Sequence, residues 1–352
     1  MLPFRVVDQE HVEQLLDMKH VIQLVERSYT LKEQNEAALF PLVFHEFSPG
    51  VADMDIKSGH LTGADIFGLK LVSWFGGNPA KGLPPLVGFV LVLDSRTGVP
   101  VGMMGGEAVT LMRTGAAGGI GAKYLARRDS ENLLLVGSGH LAPFLIMSTL
   151  MVMEHIKKVT VYNARSHEKA VSFCSSLKDK LKEKFLAPYE ADAELYRTLL
   201  RRIDIIEVAA ADDIQRATEE ADIILTATPS RQPLIKKEWV KPGTHLSCVG
   251  ADMEGKQEID ENLFPAARVF VDDITQAVHV GETEVPIKKG TFAKEDIVAE
   301  IGSVILGKTP GRLSDDDITI YDSTGIALQD LITADYILKQ AEARGIGVVA
   351  RL

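Results

Sequence analysis

The stretch Leu133-Leu-Leu-Val-Gly-Ser-Gly-His-Leu-Ala142 constrains this chain more than any other. An apolar run enters a glycine-rich turn, and Pro143-Phe-Leu-Ile-Met147 leaves it as a predicted helix. The spacing is G-x-G-x-x-A, a strand–turn–helix pattern suited to a dinucleotide. Gly137 allows a tight turn, Gly139 lets a pyrophosphate approach the backbone, and Ala142 lets helix and strand pack closely. His140 and Leu141 stand at the helix N-terminus, whose amides and dipole would face the phosphates. Glycine-rich turns also serve purely structural ends, so the weight falls on context.

The context is a strand–helix rhythm. Asn132–Val136, Val159–Tyr162, Ile205–Val208, Ile223–Thr226, His245–Val249 and Arg268–Val271 are predicted strands separated by helical stretches. That alternation implies a parallel sheet with crossover helices. Upstream, residues 8–39 carry Val12, Leu15, Leu16, Val21, Ile22, Leu24 and Val25 at roughly helical spacing. Residues 40–112 change to short β-rich runs broken by Gly, Pro and Asp, the mark of a mainly antiparallel sheet. A helix is predicted over Arg113–Ala126. Two late segments, a strand at Ile318–Tyr321 and a helix at Ala327–Glu342, are expected to return to the first domain, so that the nucleotide domain is an insertion. Residues 177–202 are highly charged. They read as a solvated helix pair extending one helix–strand connection, or as an appendage for a protein partner.

A length of 352 residues suits about two domains. A net charge of −11 argues against nucleic acid as the main partner, although an acidic chain still accommodates a local basic pocket for a phosphate-bearing cofactor. Cys174 and Cys248 are too far apart in sequence to form a disulfide framework or a metal knuckle, and no metal-ligand spacing appears. The N-terminus lacks the basic-then-apolar layout of a signal peptide, and no apolar run approaches the ~20 residues of a membrane span. A cytoplasmic protein without a membrane partner is expected.

The end of the second strand in such a sheet normally meets the adenosine ribose, through an acidic residue when the cofactor lacks a 2′-phosphate. Here Val159-Thr-Val-Tyr-Asn-Ala-Arg-Ser-His167 places Asn163 where the acid would stand, followed by Arg165 and Ser166. Asn removes the repulsion, Arg can clamp a phosphate and Ser can donate to it. NADP(H) is therefore favoured over NAD(H). In the alternative, Asn163 and Ser166 cap a turn and a helix, and Arg165 is a surface charge. Thr228 and Ser230, in the polar turn Thr226-Ala-Thr-Pro-Ser230, are further cofactor-contact candidates, or residues of an ordinary loop.

Three stretches carry candidate chemistry. Gly68-Leu-Lys-Leu-Val-Ser73 sets Lys70 in an apolar strand, Leu111-Met-Arg-Thr-Gly115 sets Arg113 at a helix, and His245-Leu-Ser-Cys-Val-Gly-Ala-Asp252 sets Asp252 just beyond a strand. Lys and Arg in apolar company need an anionic partner, which a substrate carboxylate or an internal Asp or Glu supplies equally well.

Together with Gly77-Asn78, Gly82-Leu-Pro84, Lys123-Tyr-Leu-Ala-Arg127, Gly243-Thr-His245, Gly255-Lys256, Pro310-Gly-Arg312, Ser314-Asp-Asp316 and Asp322-Ser-Thr-Gly-Ile-Ala327, these stretches resemble the ornithine cyclodeaminase/mu-crystallin family over most of the chain. The resemblance implies an α/β fold. A Rossmann-type parallel-sheet domain, residues 127–312, is inserted in a discontinuous α+β dimerisation and substrate domain, residues 1–126 plus 313–352. It implies a homodimer acting on a small amino or imino acid. It further implies that Arg113 binds the substrate carboxylate, that Lys70 assists at the carboxylate or amine, and that Asp252 is the acid/base. Thr114 and the 249–252 turn, Val249 included, would lie against the cofactor, with Ser323 and Thr324 near the nicotinamide and substrate. Where family members carry a second substrate-binding Arg, this chain has His45 and Lys57 nearby, and Lys57 is a candidate carboxylate anchor.

The leading reading is an NAD(P)-dependent oxidoreductase acting at the α C–N centre of an amino acid or cyclic imino acid, of the amino-acid dehydrogenase or ketimine reductase type. The alternatives are an ornithine cyclodeaminase-type ammonia lyase with internally recycled NAD, and a nucleotide-binding accessory protein without catalysis.

Overall fold

The structure is a computed structural model that describes residues 1–48 and 50–352. The chain divides into two compact units, Met1–Arg113 with Ile326–Leu352, and Thr114–Gly325.

The first unit is an antiparallel sheet with helices. Its strands are β1 (Pro3–Val7), β2 (Ala37–Leu39), β3 (Val43–Ser48), β4 (Ala52–Leu61), β5 (Ile66–Phe75), β6 (Leu86–Asp94) and β7 (Pro100–Gly105), joined by a C-terminal strand, Val348–Arg351. The order is C-terminal strand, β1, β7, β6, β5, β4, β2, with β3 also paired to β4. Every pairing is antiparallel except that of β1 with β7. The helical run expected over residues 8–39 is two helices and a strand: α1 (Gln9–Leu15), α2 (Met18–Glu33) and then β2. Asp8 and Asp17 start the two helices, each side chain accepting from a backbone amide three residues on. The second cap is what interrupts the helical period. The C-terminal helix, Ala327–Arg344, lies on β4, β5 and β6. A Cβ on Gly68 would stand 2.1 Å from the Leu91 carbonyl oxygen and 2.9 Å from Leu331, and one on Gly102 would stand 2.3 Å from Leu338 and 2.7 Å from the Arg5 carbonyl oxygen, so these strands keep glycine where a neighbouring strand and the helix both press on them.

Helix α3 (Gly106–Leu125) begins earlier in the chain than expected, with Glu107 in its first turn complementing the helix dipole. The boundary between the units falls within it, at Arg113/Thr114.

The second unit is a parallel sheet of β8 (Asn132–Val136), β9 (Lys158–Tyr162), β10 (Glu207–Ala210), β11 (Ile223–Thr226), β13 (His245–Cys248), β15 (Ala267–Val271), β16 (Ala299–Glu300) and β17 (Ile318–Asp322). A separate two-stranded pair joins β12 (Arg231–Ile235) to β14 (Gln257–Ile259). The main order is β10-β9-β8-β11-β13-β17-β15-β16, parallel at every pairing. The chain moves outward from β8 through β9 to β10, and to the other side from β11 to β13. A crevice therefore opens at the carboxyl ends of β8 and β11, the position where such sheets bind ligands.

Strand β17 corrects one expectation. It does not return to the first domain but lies between β13 and β15, and only the helix after it belongs to the first unit. Thr319, Ile320, Tyr321 and Asp322 are all buried, as a central parallel strand requires; the strand itself was expected, and only its place in the sheet was not. The second boundary accordingly falls at Gly325/Ile326 rather than at 312/313.

Helix α4 (Ala142–Val152) follows the glycine turn. The charged stretch forms α5 (His167–Phe185) and α6 (Ala193–Ile205). Ala170, Phe173, Leu177, Leu181 and Phe185 make a buried stripe at helical spacing along α5, and the ring of Phe185 meets Phe144 of α4 edge-on. The charges occupy the solvated face, as the helix-pair reading expects. Among the described residues, no helix is long and apolar enough to cross a membrane.

Candidate functional site

The crevice between β8 and β11 holds a cavity of about 620 Å³. Gly137, Gly139, Asn163, Arg165, Thr228 and Ser230 line it, so six residues expected from the sequence come together there. His140, Leu141, Ser166, Val249, Thr114 and Ser323 are not among the lining residues. His140 and Leu141 lead into α4. Gly137 has φ +116°, and a Cβ there would lie 2.6 Å from the Ala227 carbonyl oxygen. Only glycine meets both demands. A Cβ on Gly139 would meet no atom within 4 Å, so this backbone is open to a close ligand. A glycine cradle at a helix N-terminus fits the diphosphate of a dinucleotide.

Asn163 joins the second strand to the glycine turn. Its Nδ2 donates to Ser138 Oγ at 2.7 Å, and its Oδ1 accepts from the amides of Arg165 and Ser166 at 2.9 and 3.2 Å. Ser166 caps α5 by accepting from the Lys169 amide at 3.3 Å. The capping alternative thus describes both side chains in this structure. Sequence reasoning missed Lys169, Ser172 and Lys180, which line the same cavity from α5. Their spacing on one helical face was the available signal; Lys180 lay within a stretch read only as charged, and Lys169 and Ser172 just before it.

At the exits of β11 and β13, Thr228 donates its amide and hydroxyl to Glu258, and Gly250 donates its amide to the same carboxylate. Glu258 was not anticipated. Val249 is buried, whereas Asp252 is half-exposed and ion-paired to Lys256 at 2.5 Å. Ser323 and Thr324 are buried, and their hydroxyls donate to Asp272 at 3.3 and 2.8 Å.

In the first unit, Lys57 and Lys70 face each other across the β4–β5 pair. Both are buried, as is Arg113. The anionic partner within the protein is Asp330 on the C-terminal helix, with no solvent exposure. Lys70 Nζ lies 3.3 Å from its carboxylate, and Arg113 Nε donates to it at 3.1 Å. The internal-acid alternative therefore accounts for both cations. Arg113 Nη1 also donates to Gln329 Oε1 at 2.9 Å, and the Gln329 amide donates to the Tyr29 hydroxyl. Asp330 and Gln329 carried no signal beyond being polar residues in an apolar helix.

Burial, then the Arg113 charge, lowers the Lys70 pKa to about 8 against the attraction of Asp330. Burial pulls the Asp330 pKa upward, but Arg113, Lys70 and Lys57 outweigh it and hold the group below its ordinary value. Like charges opposed across a strand pair destabilise it. Three cations gathered about Asp330, with a smaller attraction from Asp55, suit the cluster to a further anion such as a carboxylate. His45 lies elsewhere in character: it is exposed on β3 and packs edge-on against Phe47.

A parallel sheet with a glycine cradle at its switch point places this chain among proteins with a Rossmann-type dinucleotide-binding unit, here accompanied by a discontinuous α+β unit. The chain belongs to the ornithine cyclodeaminase/mu-crystallin family, whose sequence profile matches residues 5–183 and 186–345. It is 37% identical over 344 residues to alanine dehydrogenase of Archaeoglobus fulgidus, covering 97% of this chain and 96% of that protein. An archaeal alanine dehydrogenase dimer with bound NAD superposes with a TM-score of 0.87 at 35% identity, covering 100% of both chains. The Δ1-pyrroline-2-carboxylate reductase of Thermococcus litoralis, in complex with NADH and L-proline, superposes with a TM-score of 0.86 at 28% identity, covering 98% of this chain and 99% of the other.

Proposed function

We propose that this chain is an NAD(P)-dependent oxidoreductase acting at the α C–N centre of an amino acid or cyclic imino acid. The carrying observation is the glycine-cradled cavity at the sheet's switch point, in a chain similar along its length to dehydrogenases and reductases of that class. A bound nicotinamide dinucleotide supplies the hydride donor or acceptor. The side chains supply the rest. Arg113, Lys70 and Lys57 bind the substrate carboxylate and so orient the α-carbon. Asp252 exchanges a proton with the substrate nitrogen, accepting it from the ammonium before oxidation and returning it after reduction. Thr114, Val249 and Ser323 support the cofactor, and Thr324 the substrate. Oxidation of NADPH by Δ1-pyrroline-2-carboxylate, or reduction of NADP+ by L-alanine, tests the proposal. Unchanged nicotinamide absorbance across a panel of amino and cyclic imino acids overturns it.

NADP(H) is the favoured cofactor. Asn163 brings no negative charge to the ribose end, and Arg165, Lys169 and Lys180 line the cavity near it. Arg165→Ala is expected to weaken NADPH binding about ten-fold and leave NADH binding unchanged. Equal effects on the two nucleotides remove Arg165 from the 2′-phosphate role.

The reading includes a homodimer. Val43, Phe44 and Phe47 on β3 are exposed, an apolar surface that a second copy would cover. Sedimentation at the mass of a single chain contradicts it.

A further inference from the structure

Glu258, on β14, is fully buried behind the cavity wall. Its Oε1 accepts from the amide and hydroxyl of Thr228 at 2.6 and 2.7 Å. Its Oε2 accepts from the Gly250 amide at 3.1 Å. Thr228 lines the cavity, and Gly250 belongs to the turn that leads to Asp252. The segments are tightly packed. A Cβ on Gly250 would lie 2.4 Å from Glu258 Oε2 and 2.5 Å from the Thr228 amide nitrogen and carbonyl oxygen. On the other side, the Gly137 turn abuts the Ala227 carbonyl. One carboxylate is thus the shared acceptor for two loops, one of which also presses on the phosphate-cradling turn. Two of its three donors are backbone amides, which cannot accept. A carboxylate satisfies them all, whereas a side-chain amide sets donor against donor at one oxygen. The chemistry proposed above makes no use of Glu258.

We propose that Glu258 is a positioning residue of the nucleotide site, and that its carboxylate locks the cavity wall at Thr228 to the Asp252-bearing turn at Gly250. This rests on the nucleotide reading above and deepens it. The neighbours oppose the charge. Glu282 accepts from the amides of Glu258 and Ile259 at 2.8 and 3.2 Å, Asp322 accepts from Thr283, and the Cys248 thiol ends β13; all are buried. Asp272 adds its charge next to Asp322. Burial raises the Glu258 pKa to about 7 despite the hydrogen bonds from Thr228 and Gly250. The lock therefore loosens as pH falls below about 7.

Two measurements on the full chain test this, using wild type, Glu258→Gln and Thr228→Val. Amide hydrogen exchange is read first, without nucleotide, at one fixed pH. In Glu258→Gln the amides of Thr228 and Gly250 should exchange about ten-fold faster while those of β8 are unchanged. Unchanged exchange at both sites overturns the proposal. So does acceleration spread equally through β8, which marks a general core residue. Should Glu258→Gln fail to fold, Thr228→Val carries the same test: faster exchange at Gly250 is expected, and wild-type exchange there overturns it. Fluorescence titration with NADPH and NADH from pH 6 to 8.5 is read second. Wild-type affinity should fall about five-fold from pH 7 to pH 6, following protonation of a group with a pKa near 7. Glu258→Gln should bind more weakly and lack that pH dependence; a variant that keeps the wild-type profile overturns the proposal. If wild type binds neither nucleotide while local exchange behaves as expected, the nucleotide reading falls and the lock between the two loops stands.

Discussion

Lys70 gathers several physical demands at one atom. It is buried in a sheet, faces Lys57 across the strand pair, and shares Asp330 with Arg113. Its pKa, lowered to about 8, brings its charge change into an accessible range. Above pH 8 it loses its proton and its attraction for a carboxylate. The KM for the amino or imino acid should therefore rise between pH 7.5 and 9, about ten-fold per unit once Lys70 is mainly neutral if its charge is essential for binding. A KM that is flat across this interval excludes Lys70 from holding the carboxylate. Asp252 is tested separately. Asp252→Asn should keep nucleotide affinity and lose at least a hundred-fold in turnover, the scale of general acid–base catalysis. Retained turnover removes Asp252 from proton transfer. Gly137 and Gly139, which line the cavity, stood in a turn spacing, and Lys70 and Arg113, which meet at Asp330, stood in an apolar strand and at a helix; Asp252, singled out at a strand end, remains part of the proposal. Asp330 and Glu258 were not legible. Their partners lie far away in sequence, and neither occupies a motif position.

At the scale of elements, the C-terminal helix packs on β4, β5 and β6 and carries the acid that pairs with buried Lys70 of β5 and Arg113 of α3. Removing one member of a buried ion network leaves its partners unpaired in low dielectric. Asp330→Asn should destabilise the protein by about 3–5 kcal/mol, read from denaturant unfolding of the first unit. A loss under 1 kcal/mol means that solvent or another group replaces the pair. The parallel strands were legible because a strand–helix alternation repeats at regular intervals. β17 was legible as a strand but not in its place: an irregular segment precedes it, and the helix after it belongs to the first unit. Its place between β13 and β15 is a non-local fact of sheet order. The division of residues 8–39 was missed for a different reason. Apolar periodicity continues across Leu15, Leu16 and Met18, and only the cap at Asp17 marks the break.

For the whole molecule, stability should depend on pH through the buried acids of the second unit. Burial raises the pKa values of Glu258 and Asp322 to about 7, and those of Glu282 and Asp272 also move upward. A carboxyl whose folded pKa exceeds its unfolded value binds protons more tightly in the native state. Its stabilising contribution is complete below about pH 4.5 and is lost as pH rises through about 7. His245 acts in the opposite sense. Burial and the Arg312 charge lower its pKa to about 3, so it penalises folding mainly below pH 6.5. Between pH 6.5 and 7.5 the acids set the slope, and the melting temperature should fall as pH rises. A melting temperature that rises across this window shows that these groups remain ionised when buried.

The chemistry proposed for this chain is net redox at an amino-acid C–N centre. One reaction mixture tests it most directly: the protein with NADPH and a cyclic imino acid, or with NADP+ and an amino acid such as alanine or ornithine, followed for nicotinamide absorbance and ammonia together. The predicted result is one nucleotide consumed per substrate converted. Ammonia released from ornithine with no net change in nicotinamide absorbance would contradict it and make the chain a cyclodeaminase.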